Sequence, residues 1–454
     1  QDPAVDIELA GEIDFRPTAG GVTVEAPNWQ VRRFVIDLPK AQRDSSALQQ
    51  MLADRQIAIP SGRFTLEAHG SYTGNTLSLA DLRFTTNELT LATTEGVNIV
   101  ESLTTTLATA GSIALGDDAT RILLSRLELS EPRNYLALRK TSRGDLAITL
   151  PAGGGFAAAG QVRADVSLGM IAGIVRALQT DSGDDSALPI RRGFATATLN
   201  FDADNGQTRF DTNLAVRNLV LLARGQPLEE QSLELAMAGT ATADLSDVRF
   251  SNLKLTSPRV SAESADLRLA LADHGDTAPP WAAILSGRAV IDVPDAGYAW
   301  ALMEAFAPPV VPQEGKAPPL QLTAGSLAAR IELSQQDGRL RVNVSELTTS
   351  DLAFARGDVK HVMQPVRVVA NTELRPSEDG TLAGLILDAL DVQLGFAQVQ
   401  AVEPVRVSGL EPGMAPDVAG RIRASGELEP TFVLLNALSG SSEPPAYAGR
   451  FEIT

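Results

Sequence analysis

No cysteine occurs in the 454 residues, so neither a disulfide frame nor thiol chemistry is open to the chain. That composition permits an oxidising compartment without requiring one. Histidine is nearly missing too: His69, His274 and His361 are the three occurrences. His69 falls on the polar parity of its strand and the others lie near turns. No His-x-x-x-His or Glu-x-x-His spacing supports a metal, so all three read as surface residues. Positive charge is scarce, with 38 Lys and Arg against 56 Asp and Glu and a formal net charge of −18. Nucleic acid needs a basic face, so it is not expected as a partner. Flat adsorption on anionic lipid heads is disfavoured for the same reason. No run approaches the roughly 18 consecutive apolar residues that would span a bilayer as a helix. Aromatics are only 5%. The apolar positions fall to Leu, Val, Ala and Ile with Thr and Ser between them, a mixture suited to pleated sheet.

Constellations for catalysis are missing as well. There is no Gly-x-Ser-x-Gly elbow. Gly153, Gly154 and Gly155 follow Pro151 and Ala152 with no Lys soon after, which reads as a loop and not as a phosphate cradle. Asp202-Ala203-Asp204-Asn205-Gly206 opens like a calcium loop, but Asn213 stands where the liganding Glu belongs, so a hairpin turn is the better reading. Asp181, Asp184 and Asp185 read as a solvated acidic loop. Neither an enzyme nor a cofactor is expected.

What the chain has in abundance is alternation. After Gly193, Ala195, Ala197, Leu199 and Phe201 share one parity, and Thr196, Thr198, Asn200 and Asp202 the other. A period of two marks a strand with one apolar face. Asp204-Asn205-Gly206 supplies a turn that tolerates positive φ. Phe210, Thr212, Leu214 and Val216 run back, and the alternation slips at Arg217-Asn218 before Leu219 and Leu221 resume, as at a bulge. The same unit follows Gly325. Leu327, Ala329, Ile331 and Leu333 lead to an Asp337-Gly338 turn, then Leu340, Val342 and Val344 return. It also follows Gly62, with Phe64, Leu66 and Ala68, a Gly74-Asn75 turn, then Leu77 and Leu79. These glycines stand 131 and 132 residues apart (62 to 193, 193 to 325). The spacing implies an array of repeats of about 130 residues.

A strand-then-helix module recurs with the same period. Short helices are expected over 45–53, 168–178, 296–306 and 430–438, with Pro39 ending the strand before the first. Leu48, Met51 and Leu52 share one face of the first. The faces Ile171/Ile174/Val175/Leu178 and Trp300/Met303/Phe306 are expected to pack on a sheet. Connectors follow at 180–189, 308–319 and 440–445. The expected division is 1–61 as the end of an incomplete repeat, 62–192, 193–324 and 325–448 as three repeats, and 449–454 as the start of a truncated one. Both ends read as cut from a longer array. Links of two to six residues favour antiparallel neighbours, which gives a mainly β, elongated meander of about 25 strands with one short amphipathic helix per repeat.

Such a sheet must bury its apolar face, and one helix per repeat cannot cover eight or so strands. Either the sheet closes into a dry core, or it curls partway into a taco-like gutter that a guest fills. Acyl chains match a gutter in length and chemistry. Its expected lining is Phe64, Leu66, Leu77 and Leu79 in the first repeat. The second supplies Leu199, Phe201, Phe210 and Leu214, and the third Leu327, Ile331, Leu333, Val342 and Val344. The alternative is a closed β-solenoid serving as a structural or adhesive surface array without a ligand.

The stretches SGRFTLEAHGSYTGNTLSLADLRFTTNELTLA, RGFATATLNFDADNGQTRFDTNLAVRNLVLLARG and AGSLAARIELSQQDGRLRVNVSELTTSDLAFARG resemble the AsmA-like superfamily, with its TamB- and YhdP-type members. GRAVIDVPDAGYAWALMEAF and GRIRASGELEPTFVLLNAL look like its small amphipathic helices. The resemblance covers essentially the whole chain and is one of pattern. It implies a repeating β-groove in the periplasm of a Gram-negative envelope, anchored in the inner membrane. It further implies bridge-like phospholipid transport toward the outer membrane, acyl chains as cargo, and partner proteins at both membranes.

Overall fold

Alternation rich in Leu, Val and Thr becomes strand nearly everywhere, and the chain is mainly β with antiparallel pairing throughout the described strands. The computed structural model describes all residues except 1–3, 19–20, 55–56, 94–95, 97, 132–135, 142–143, 153–155, 179–188, 205, 224–225, 272–282, 307–319, 337, 357–358, 377–381, 411–416 and 440–447. Outside the described residues lie the three glycines at 153–155, Asp181, Asp184, Asp185, Asn205, His274, Asp337, and the connectors at 308–319 and 440–445. The chain divides into two units, 1–221 and 222–454. Among the described residues no helix is long and apolar enough to cross a membrane.

The first unit begins with β1 (Val5–Thr18) and β2 (Gly21–Asp37), followed by α1 (Leu38–Asp44) and α2 (Ser46–Ala53). Then come β3 (Ile57–Thr73), β4 (Thr76–Thr93), β5 (Asn98–Leu115) and β6 (Ala119–Ser130). After β7 (Leu136–Lys140), β8 (Leu146–Pro151) and β9 (Ala157–Ser167), α3 (Leu168–Leu178) precedes β10 (Ile190–Asp204) and β11 (Gln207–Ala223). The second unit holds β12 (Gln226–Thr242), β13 (Val248–Thr256), β14 (Ser261–Leu269) and β15 (Ile284–Val293), then α4 (Ala296–Phe306). It continues with β16 (Gln321–Gln336), β17 (Arg339–Arg356), β18 (Val359–Val362), β19 (Val366–Pro376) and β20 (Leu382–Leu394). It ends with β21 (Ala397–Ala401), β22 (Val405–Ser408), β23 (Asp417–Ala419), β24 (Ile422–Glu427), α5 (Leu428–Ser439) and β25 (Arg450–Ile453).

Residues directly opposite in an antiparallel pair share a face of the sheet. In the first unit the register joins Ile7, Phe34, Leu66, Phe84, Leu107, Leu129, Leu138, Ala164, Ala197 and Leu214 into one unbroken apolar row from β1 to β11. The opposite parity joins Glu67, Arg83, Ala108, Glu128, Arg139, Arg163, Thr198 and Asn213, a polar row broken only by one small residue. The second unit repeats the arrangement. Leu235, Leu255, Ala262, Ile291, Ala329, Leu347, Val368, Val392, Val399, Ala424 and Ile453 are paired in succession from β12 to β25.

One local device recurs where strands meet helices. Gly62, Gly193 and Gly325 have φ of 145°, 146° and 106°, and across the pair Glu88, Asn218 and Asp351 are left-handed at 49°, 51° and 50°. The register passes from Ser61↔Thr90 to Arg63↔Asn87, from Arg192↔Val220 to Phe194↔Arg217, and from Ala324↔Ala353 to Ser326↔Ser350. Each glycine therefore faces two residues, a bulge that resets the parity of the returning strand. This is the slip visible in the sequence at Arg217-Asn218. A Cβ on Gly62 would lie 3.2 Å from Leu38 Cδ1, and one on Gly193 3.3 Å from Leu168 Cδ1, so the leading residues of α1 and α3 rest on the bare glycines.

Two expectations about helices change. The stretch before Ile57 holds two helices, not one over 45–53. Pro39 does not simply end a strand; it sits in the first turn of α1, where its missing N–H costs little. Asp37 Oδ1 accepts from Lys40 N at 3.1 Å, and Ser45 both ends α1 and caps α2, accepting from Leu48 N at 3.3 Å. The packed helix faces also differ. Ile171 and Met303 are exposed, while Ala172, Ala296 and Tyr298 are buried; on the α2 face Leu52 is buried and Met51 exposed. Small residues decide this: a Cβ on Gly169 would come within 3.0 Å of the Arg191 carbonyl oxygen, and one on Gly297 within 2.4 Å of that of Thr323. At Gly169 and Gly297 the helices α3 and α4 approach the sheet through backbone, which leaves Ile171 and Met303 outward. The side chains of Ile174, Leu178 and Phe306 lie outside the description.

A Cβ on Gly325 would meet Leu352 Cα at 2.5 Å. Gly325→Ala is expected to lower the unfolding free energy by about 1–3 kcal/mol. Gly173→Ala, at a position in α3 with no atom within 4 Å of the added carbon, is expected to raise it by about 0.5–1 kcal/mol. Urea denaturation of the two variants checks both signs.

Candidate functional site: an apolar trough on one sheet face

In the second unit the apolar rows of β12 to β16 surround a cavity of about 710 Å³, within the range of small-molecule sites. Leu235, Leu253 and Leu255 form one wall, Leu267, Leu269 and Leu271 the next, and Ile284, Ala289 and Ile291 the third, with Leu333 at the β16 side. The strand pairs that align them are Leu235↔Leu255, Phe250↔Leu267, Leu269↔Ile284 and Gly287↔Leu333. The polar groups at its margin are already engaged. Ser264 Oγ donates to the Arg288 carbonyl at 2.6 Å, Glu263 lies 3.4 Å from Lys254 Nζ, and Arg288 Nε lies 3.5 Å from Glu332. Among the described lining residues aliphatic side chains predominate, and the polar ones, Glu263, Ser264 and Arg288, are tied to protein partners. The chemistry of such a lining is exclusion of water from apolar groups.

Of the thirteen expected lining residues, Leu333 is a wall of this cavity. Leu327, Ile331, Val342 and Val344 share its face through Val293↔Leu327, Ala289↔Ile331, Leu333↔Val342 and Ile331↔Val344, and stand outside the cavity wall. In the first unit Leu66 and Leu214 belong to the long apolar row. Phe64 pairs with Ile36, Leu77 with Ile113, and Leu79 with Gly111. Leu199 pairs with Val162, and Phe201 with both Gly160 and Phe210. The Phe64 and Phe84 rings lie 5.1 Å apart at 50°. All thirteen are partly exposed, neither sealed nor free. Among the described residues Leu221 is the one large side chain less than 2% exposed.

Sequence reasoning missed the trough's principal walls, Leu235, Leu253, Leu255, Leu267, Leu269, Ile284 and Ile291. The signal was present in Leu253/Leu255 and Leu267/Leu269, but two irregularities scramble the parity. The register shifts between Ala238 and Gly239, leaving Ser251 unpaired, and Asp266 is left-handed at φ 58°. Phe250 and Leu253 pair with Leu267 and Ser264 across a shared break, so a strict period of two fails there.

Helix α4 stands beyond the Ile291 end of these strands. Asp295 Oδ1 caps it, accepting from Tyr298 N at 2.9 Å. The Arg259 guanidinium lies 4.6 Å above the Tyr298 ring. Tyr298 and Glu230 are both buried, and among the described residues neither Tyr298 Oη nor Glu230 Oε2 has a partner at full hydrogen-bond geometry, although the two groups lie close enough to interact. Burial, then the carboxylate of Glu230, pushes the Tyr298 hydroxyl well above the usual tyrosine range.

Comparison of the chain with family models, with curated proteins and with solved structures finds no match in any of the three.

The raised Tyr298 proton affinity carries a sign for stability. Above about pH 10 the unfolded chain releases this proton while the folded chain keeps it, so stability is complete below that pH and falls as pH rises. Tyr298→Phe is expected to flatten that alkaline loss. Urea midpoints at about pH 8 and pH 11 measure it, and equal alkaline slopes in the two proteins would contradict the assignment.

Proposed function

We propose that this chain shields the acyl chains of phospholipids along its apolar sheet face, as a passive conduit of the bridge-like AsmA type. The observation that supports the reading is the register. Eleven strands of the second unit place an apolar residue in one row, ten steps of about 4.8 Å or roughly 50 Å, beside a trough of about 710 Å³. A ligand-free core would bury such a lining, and here the expected lining stays partly exposed. Each methylene moved from water onto this face gains roughly 0.8 kcal/mol. That gain has no direction, so a chain moves from strand to strand without breaking specific bonds. The periplasmic setting, the inner-membrane anchor and the partner proteins at the inner and outer membranes enter this proposal through the family resemblance alone.

Solvent extraction of the purified protein followed by lipid mass spectrometry is expected to recover bound phospholipid. Leu199→Asp and Ile331→Asp are each expected to lose that lipid while keeping the wild-type circular dichroism. A dry core would instead unfold around the buried unpaired charge. Purified protein with no lipid, together with unfolding of both variants, leaves the closed scaffold as the reading.

A further inference from the structure

The opposite face of the second unit carries a different cavity, of about 440 Å³ and polar. Two adjacent cross-strand rows form it. Arg288, Glu332, Asn343 and Asn371 are paired in succession, and beside them Ser286, Ser334, Arg341 and Glu373. Its rim at β14 is the bulge at left-handed Asp266, where the pairing passes from Ala265↔Arg288 to Arg268↔Ser286. The bulge turns that strand aside and leaves Gly287 in the floor.

Positive charge accumulates at the β17 end of this cleft. Glu373 has a side chain only 9% exposed and faces three guanidiniums: Arg375 Nε at 3.1 Å, Arg339 Nη1 at 3.3 Å and Arg341 Nε at 3.6 Å. One carboxylate against three cations leaves a local excess of two positive charges on a chain of net charge −18. Arg341 both touches Glu373 and lines the cleft, and a guanidinium has five N–H donors, more than one contact uses. Asn343, Asn371, Ser286 and Ser334 add neutral donors and acceptors, and Glu332 and Asp266 add acceptors. Among the described residues no aromatic side chain lines the cleft, so none of them stacks on a base or a ring face.

We propose that this cleft binds a phosphorylated polyol or sugar, with the phosphate on Arg341 and the hydroxyls on Asn343, Asn371 and the neighbouring serines. The phosphate belongs at the Arg341 end, where three guanidiniums face the single carboxylate of Glu373, because at the other end Arg288 is paired with Glu332 and Asp266 adds a second carboxylate. The two polar rows lie on the opposite parity from the acyl trough, the cleft shares only Arg288 and Leu333 with the trough's lining, and the proposal does not depend on lipid occupying that trough.

Calorimetric titration of the full chain with glucose 6-phosphate, inorganic phosphate and glucose tests the assignment. Sedimentation with phosphatidylcholine vesicles containing phosphatidylinositol 4-phosphate runs beside it. Glucose 6-phosphate is expected to bind saturably, and phosphate and glucose each about tenfold more weakly or worse. Asn371→Asp places a carboxylate in the cleft without touching the Glu373 cluster, and Arg341→Gln removes the proposed phosphate contact. Each is expected to weaken glucose 6-phosphate by about tenfold or more, the first with an unchanged thermal midpoint. Co-sedimentation that Asn371→Asp abolishes identifies a lipid head group as the source, and binding of the soluble compound alone identifies a free sugar phosphate. No saturable binding of either form, or affinities that Asn371→Asp leaves unchanged, overturns the proposal.

Discussion

Pairing register is the constraint on which everything else here rests. A strand has a side-chain period of two, so a slip of one residue moves its whole apolar set to the other face. From Ile7 to Leu214 in the first unit, and from Leu235 to Ile453 in the second, the register never lets that happen. Where the sequence goes out of phase, a bulge absorbs the extra residue. The Gly62/Glu88, Gly193/Asn218 and Gly325/Asp351 pairs are the same solution found three times. Each needs a residue without a side chain, because the space above it belongs to a leucine or to the facing backbone.

The charged face reinforces the arrangement. Asp165 sits among Arg163, Arg139 and Thr196, and Asp247 between Arg249 and Arg268. Burial works against ionised Asp165, yet its hydrogen bonds from Arg163 and Thr196 and the nearby guanidiniums hold its proton affinity below the usual carboxylate range. Asp247 is lowered chiefly by Arg268. Exposed pairs of this kind add little stability one by one. Their value is positional, since a slipped strand would lay arginines and carboxylates across the leucine rows and leave them without water or partner.

Much of this was readable from residues alone, and physics explains which parts. Hairpins at Gly74-Asn75, at Gly206 and at Gly338 are local, and the pairings Thr73↔Thr76, Asp204↔Gln207 and Gln336↔Arg339 close on them. The spans of α3 and α4 were equally plain, being set by apolar runs between a strand and a connector. The trough was harder, because Ser251 and Asp266 displace the parity of the strands that build it. The Glu230–Tyr298–Arg259 cluster brings together residues 68 positions apart in sequence, and no single stretch carries a trace of it. Helix faces were misjudged for a related reason. Apolar size points to Ile171 and Met303 as contacts, whereas close approach of α3 and α4 to the sheet favours Gly169, Ala172, Ala296 and Gly297.

Short turns have a kinetic side. In most of the described pairs a strand lies against the one just before it or the one before that, as in β3 with β4, β16 with β17 and β19 with β20. Where a tight turn joins such neighbours, the loop to be closed is short and its entropy cost small. Pairing of near neighbours in chain order lets each hairpin join the edge formed by the strands before it. In a ribbon laid down in that order, the greasy side of the half-made sheet is no wider than the strands already in place.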